Sequence, residues 1–193
     1  MKINGHKVKP GAILGGANLR GANLWGKDLD NILLEDADLT EALLGFADLW
    51  GANLRKAKLV RANLTGARLQ SADFSDADLT NASLKDAKMT GTRFSRANLS
   101  MTILSGGDLW GAKLEMSLLR DANLTSANLT NAKLTGSDLT NANLTGANLT
   151  GANLTGAVLT GANLTGAVLV GVIGYASWIS SPPKPEHPPT PTR

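Results

Sequence analysis

Large apolar residues recur along this chain at every fifth position. From Leu14 to Leu169 each fifth residue is Leu, except at Phe74, Met89 and Phe94. Two residues before each of these stands a small one, mostly Ala (Ala12, Ala17, Ala22, then Ala37 onward). The phase holds from residue 12 to residue 171, so no loop interrupts that stretch. A period of five matches neither the helical 3.6 nor the strand period of 2. It predicts a chain that turns a corner every five residues, with the small and large positions facing in and the other three facing out. Asn, Asp, Thr and Gly dominate those outward positions, as a solvated wall requires. Gly recurs at the last position of the unit (Gly21, Gly26, Gly51, Gly66, Gly146, Gly151), where a turn uses a positive φ. Each buried Leu contributes roughly 1.5–3 kcal/mol of transfer free energy, enough for a long column to hold without bulky aromatics.

Charge order bears on how many units close one coil. Glu35, Asp36, Asp38, Glu41 and Asp48 lie in a segment without Lys or Arg; Arg55, Lys56, Lys58, Arg61 and Arg68 follow in one without Asp or Glu. Each of those acids has its base twenty residues on: Glu35–Arg55, Asp36–Lys56, Asp38–Lys58, Glu41–Arg61 and Asp48–Arg68. Like pairs also occur at that spacing (Asp28–Asp48, Arg68–Lys88, Arg93–Lys113, Lys113–Lys133), and a spacing of fifteen has none, so the tally alone leaves both open. The matched blocks favour twenty residues, four units per coil.

Units such as Ala17-Asn18-Leu19-Arg20-Gly21, Ala37-Asp38-Leu39-Thr40-Glu41 and Ala152-Asn153-Leu154-Thr155-Gly156 resemble the A(D/N)LXX consensus of the pentapeptide repeat proteins. The resemblance implies an all-β fold, a right-handed quadrilateral parallel β-helix (a solenoid) of about eight coils of four pentapeptides. Residues 1–11 are expected to cap the first coil and residues 12–171 to form the β-helix. Residues 172–181 cap its far end or self-associate through Tyr175, Trp178 and Ile179, giving a monomer or an end-to-end dimer. Residues 182–193, with six prolines after Ser181, read as a disordered Pro-rich tail. Lys27 and Ile32 replace Ala at two successive inward positions; an unpaired ammonium is costly to bury, so the wall is expected to widen or lie exposed at Lys27.

Composition removes several kinds of chemistry. There is no cysteine, which excludes disulfides, thiolate metal sites and cysteine nucleophiles. His6 and His187 stand in the terminal segments, away from the repeats. The formal charge of +3 is too small to predict nucleic-acid binding. No apolar run has the length of a signal peptide or a membrane span, so a cytoplasmic location is expected. Asn-X-Ser/Thr triplets such as Asn63, Asn123 and Asn163 are then repeat chemistry rather than glycosylation acceptors. Residues 21–28 nearly spell a phosphate-binding loop but end in Asp28 where Ser or Thr is needed. No catalytic, cofactor-binding or metal constellation stands out, so an enzyme is not expected.

Outward apolar residues are more informative, because a solvated wall has no need of them. A twenty-residue coil places Trp25 on the same face as Leu43 and Phe46, with Trp50 round the next corner, a grouping like a binding hot spot. Met101, Ile103, Met116 and Leu118 form a weaker cluster. The leading expectation is a non-enzymatic scaffold with an unidentified protein partner. Two alternatives are a DNA mimic acting on a type II topoisomerase, as in the quinolone-resistance relatives, and ice or surface binding through the Thr array from Thr125 to Thr165. Those relatives are strongly acidic, which this chain is not.

Overall fold

The computed structural model describes residues 2–3 and 5–174. Tyr175, Trp178, Ile179 and the Pro-rich tail lie outside the described residues. Two short strands, β1 (Lys2–Ile3) and β2 (His6–Lys7), pair antiparallel at the start of the chain. Beyond them the fold is built from single parallel bridges, each joining a residue to the one twenty positions on. Four ladders run the length of the repeat, starting at Ile13, Asn18, Asn23 and Asp28. The register decides between the two charge spacings in favour of twenty. Among the described residues no helix is long and apolar enough to cross a membrane.

One unit shows why this sequence takes this path. In the unit Ala37–Glu41, the Ala37 N–H donates to the Leu34 carbonyl and closes the preceding corner (3.0 Å). Asp38 N–H donates to Ala17 on one neighbouring turn, at 2.9 Å. Leu39 N–H donates to Lys58 on the other at 2.7 Å, and Glu41 N–H to Val60 at 2.9 Å. The remaining N–H, that of Thr40, is met by the Asp38 side chain, whose Oδ1 accepts at 3.0 Å. All five backbone donors therefore have partners, as a buried or half-buried backbone demands. The same side-chain cap recurs from Asn18 to Asn163, so Asn or Asp before the large residue closes the corner as well as solvating the wall.

The last residue of each unit holds a left-handed conformation. Gly takes it at Gly21 and Gly26, and charged or polar residues such as Asp36, Glu41 and Arg61 at φ of 56–61°. The inward column is wholly buried through the body of the rod, from Leu19 to Leu154. Phe74 and Phe94, one turn apart, stack at 5.2 Å with an interplanar angle of 22°. Thr102, Ser117 and Ser137 occupy inward small positions without penalty, because each hydroxyl donates to the carbonyl three residues earlier. Ile32 is fully buried in its inward position, whereas Lys27 is exposed beside Val8, Lys9, Pro10, Asp28 and Leu29, as its charge requires.

Ion pairs follow the register. Arg68 meets Asp48 at 2.9 Å and Arg96 meets Asp76 at 2.7 Å; Arg61 meets Glu41, and Arg55 lies within 3.9 Å of Glu35. Asp38, expected opposite Lys58, is met instead by Arg20 at 3.3 Å, because an arginine at the corner also reaches eighteen residues on. Arg120 reaches Asp138 the same way (2.6 Å).

These contacts predict the acid response. Arg96 holds the Asp76 carboxyl below its ordinary value of 3.8 by hydrogen bonding. The Thr140 hydroxyl does so for Asp138 against partial burial. A carboxylate depressed in the folded state stabilises it above the unfolded value, and that contribution is lost as pH falls through the folded one. Exposed pairs contribute at most about 1 kcal/mol each. The melting temperature is therefore expected to fall below about pH 4, and less so in Arg96→Met; a melting curve flat down to about pH 3 would contradict this.

Candidate functional site

Trp25 and Phe46 stand side by side on one edge of the rod, ring centroids 5.4 Å apart and tilted by 61°. Phe46 is 60% exposed and Trp25 46%. Their seats are glycines. A Cβ on Gly45 would overlap the six-membered ring of Trp25, and one on Gly66 would overlap the Phe46 ring. Gly66 also needs its positive φ, but Gly45 does not, so Gly45 serves only to let the indole lie flat against the next turn.

Two local costs attach to this patch. Leu43 occupies the position where Asn or Asp caps the corner, and a Leu has no oxygen to do so, forfeiting a hydrogen bond of about 1 kcal/mol. It is 42% exposed, so burial returns little of that. Phe46 holds φ of 55°, a region that a bulky side chain occupies at a cost.

Trp50 is not part of the pair. It lines a depression of about 330 Å³ with Asp28, Asp30, Asp48 and Arg68. Phe46 lines another of about 400 Å³ with Thr65, Gly66, Arg68, Asp86 and Lys88, so Arg68 stands between the two. Met101, Ile103, Met116 and Leu118 are all exposed, Met116 with its thioether over Gly136. Ile13 and Leu33 are also exposed and bridged to each other; apolar residues at the corner-capping position are the sequence signal that marks them.

Among the described residues no group of His, Cys, Asp and Glu is placed to hold a metal ion. The segment resembling a phosphate-binding loop has its N–H groups committed: Leu24 to Leu43, Gly26 to Gly45 and Lys27 to Leu24. The Trp25 N–H is taken by Asn23. These four N–H groups already have acceptors within the protein and are not free to cradle a phosphate.

Models of pentapeptide repeats match residues 12–44, 32–70 and 137–173, and a model of a pentapeptide repeat region matches residues 77–154. The chain belongs to the pentapeptide repeat family. Among solved structures, this pentapeptide repeat protein is similar to HetL, a family member involved in heterocyst differentiation regulation in the cyanobacterium Nostoc sp.. The two are 35% identical with a TM-score of 0.60, over 87% of this chain and 85% of HetL. QnrB1, a plasmid-mediated fluoroquinolone resistance protein, matches at 20% identity and a TM-score of 0.46 over 81% of this chain and 91% of that one. A pentapeptide repeat protein from the Arabidopsis thaliana thylakoid lumen matches at 28% identity and a TM-score of 0.28, over 66% and 68%. No curated protein shows a significant match. The likeness to HetL, a member of this β-helical repeat family, agrees with the parallel ladders.

Proposed function

We propose that this protein is a non-enzymatic, cytoplasmic scaffold that binds a partner protein through the patch of Trp25, Leu43 and Phe46. The observation that carries the reading is the exposed aromatic pair seated on glycines, held at two local costs to the repeat. Its similarity to HetL, a regulatory family member, is consistent with a binding role. The rod is right-handed and quadrilateral, with about eight coils of four pentapeptides over residues 12–171. Residues 1–11 close its first coil, where Val8 is buried and Ile3 packs against the column. Residues 172–181 close the other end or join it to a second copy, over the partly buried Leu164, Leu169 and Val172.

Neither alternative draws support from the surface. The acidic segment of Glu35, Glu41 and Asp48 is neutralised by Arg55, Arg61 and Arg68 on the following turn, which suits a mimic of DNA poorly. Six of the nine Thr hydroxyls from Thr125 to Thr165 (Thr125, Thr130, Thr140, Thr145, Thr150 and Thr165) donate to the Asn or Asp of their own unit at 2.6–2.7 Å, which gives most of the Thr array a role in the corners.

The test compares three chains in lysate of the organism of origin: wild type, Trp25→Ser/Leu43→Ser/Phe46→Ser, and Gly45→Ala. The last displaces the indole and leaves the repeat otherwise intact. A partner held by wild type and lost from both variants is the expected outcome. A partner retained by both removes the patch from the reading.

A further inference from the structure

The ladder that starts at Asp28 opens with two acids. Asp28 bridges Asp48 directly, and like charges facing one another across a ladder destabilise it. Arg68 relieves one of them, meeting Asp48 at 2.9 Å. Asp28 and Asp30 have no ion pair among the described residues. Asp28 accepts the N–H of Asp30 at 3.3 Å, and Asp30 accepts the amide of Asn31 at 3.1 Å. Both carboxylates line the depression with Trp50, which is 46% exposed. On its other side Asp28 also lines a depression with Val8, Lys9, Pro10 and Lys27, but neither lysine forms an ion pair with it. On the opposite edge of the same ladder stand Phe46 and Trp25, and Arg68 is common to the depressions on both sides.

The face thus offers two recognitions at a fixed separation. One edge presents bare aromatic surface. The other presents a Trp ring beside two carboxylates that lack an ion pair among the described residues, an arrangement that attracts an ammonium or guanidinium and suits the apolar stem that carries it. We propose that this face docks a basic segment of a partner protein, with an apolar side chain against Trp25 and Phe46 and a Lys or Arg over Trp50 between Asp28 and Asp30. The inference rests on the docking reading above and specifies the chemistry of what docks. Charge complementarity selects the partner: an acidic segment would meet Asp28 and Asp30 head on, and the nearest guanidinium, Arg68, is engaged by Asp48.

The probe is a random-peptide library displayed on phage and panned on the full chain. Asp28→Asn/Asp30→Asn removes both charges while retaining the side-chain oxygen that caps the corner, so the fold is preserved. Peptides selected by wild type are expected to carry Lys or Arg near an aromatic or branched apolar residue. They should be lost with Gly45→Ala and weakened roughly tenfold by the double Asn substitution, with the weakening shrinking as salt is raised. Peptides lost with Gly45→Ala but without basic enrichment, and indifferent to the double substitution, would overturn the basic partner and leave the docking patch standing. Peptides indifferent to every variant, or no selection at all, would overturn both.

Discussion

Replacing Phe74 by Ala is expected to cost about 3–5 kcal/mol of stability, whereas Phe74→Leu costs less than about 1.5 kcal/mol. Phe74 is wholly buried and stacks on Phe94 one turn later. Truncation removes the ring's transfer free energy, opens a cavity in the axis and deletes the aromatic pair, which adds roughly 0.5–1.5 kcal/mol. Leu is the residue that fills nearly every other position of the column, so the neighbouring turns already accommodate its shape. In a solenoid each turn contacts only its neighbours, so a defect near the middle uncouples the two halves. Chemical denaturation followed by circular dichroism reads this as a lower midpoint, and for Phe74→Ala as two transitions. Equal midpoints for the Ala and Leu variants would show that the column tolerates a void, against the packing argument.

The column and its register are legible from the sequence because both are periodic. Leu at every fifth position leaves one inward-facing arrangement, and matched acids and bases around Glu35 and Arg55 point to the twenty-residue spacing that the ladders adopt. Arg20 shows where that reasoning stops: a long side chain at a corner reaches Asp38 as readily as its own ladder, and spacing alone does not choose. The purpose of Asn and Asp before each Leu is likewise hidden, since a capped N–H and a solvated wall ask for the same residue types. Of the candidate surface, the exposure of Trp25, Leu43 and Phe46 is legible from their outward phase. Gly45 is not, because a glycine among many glycines reads as a turn; only the indole lying across it gives it another role. Asp28 and Asp30 are overlooked for a similar reason. Acids on a polar wall are unremarkable until the partner each lacks is known.

Deleting one residue is expected to damage this protein more than deleting twenty. Removal of residues 122–141 joins Asp121 to Ala142, so Ala still follows a corner and Leu144 takes the place of Leu124 over Leu104. Every ladder stays in register, and one ion pair, Arg120–Asp138, is lost from the surface. Removal of Ser126 alone shortens one side of one turn to four residues. Ser126 carries the left-handed φ of 56° that turns its corner, and its N–H donates to Thr145 on the following turn. Without it, Ala127 inherits the corner and the following Leu positions rotate away from the axis, unless the chain strains to restore them. Seven buried leucines, Leu129 through Leu159, lie downstream, so on the order of 10 kcal/mol of burial is at stake. The twenty-residue deletion should retain a cooperative melt close to the parent's. The single deletion should lose a large part of its β signal and become sensitive to protease beyond residue 126. If the single deletion melts with the parent, four residues suffice to span a side, and the phase of five is a preference of the sequence instead of a requirement of the fold.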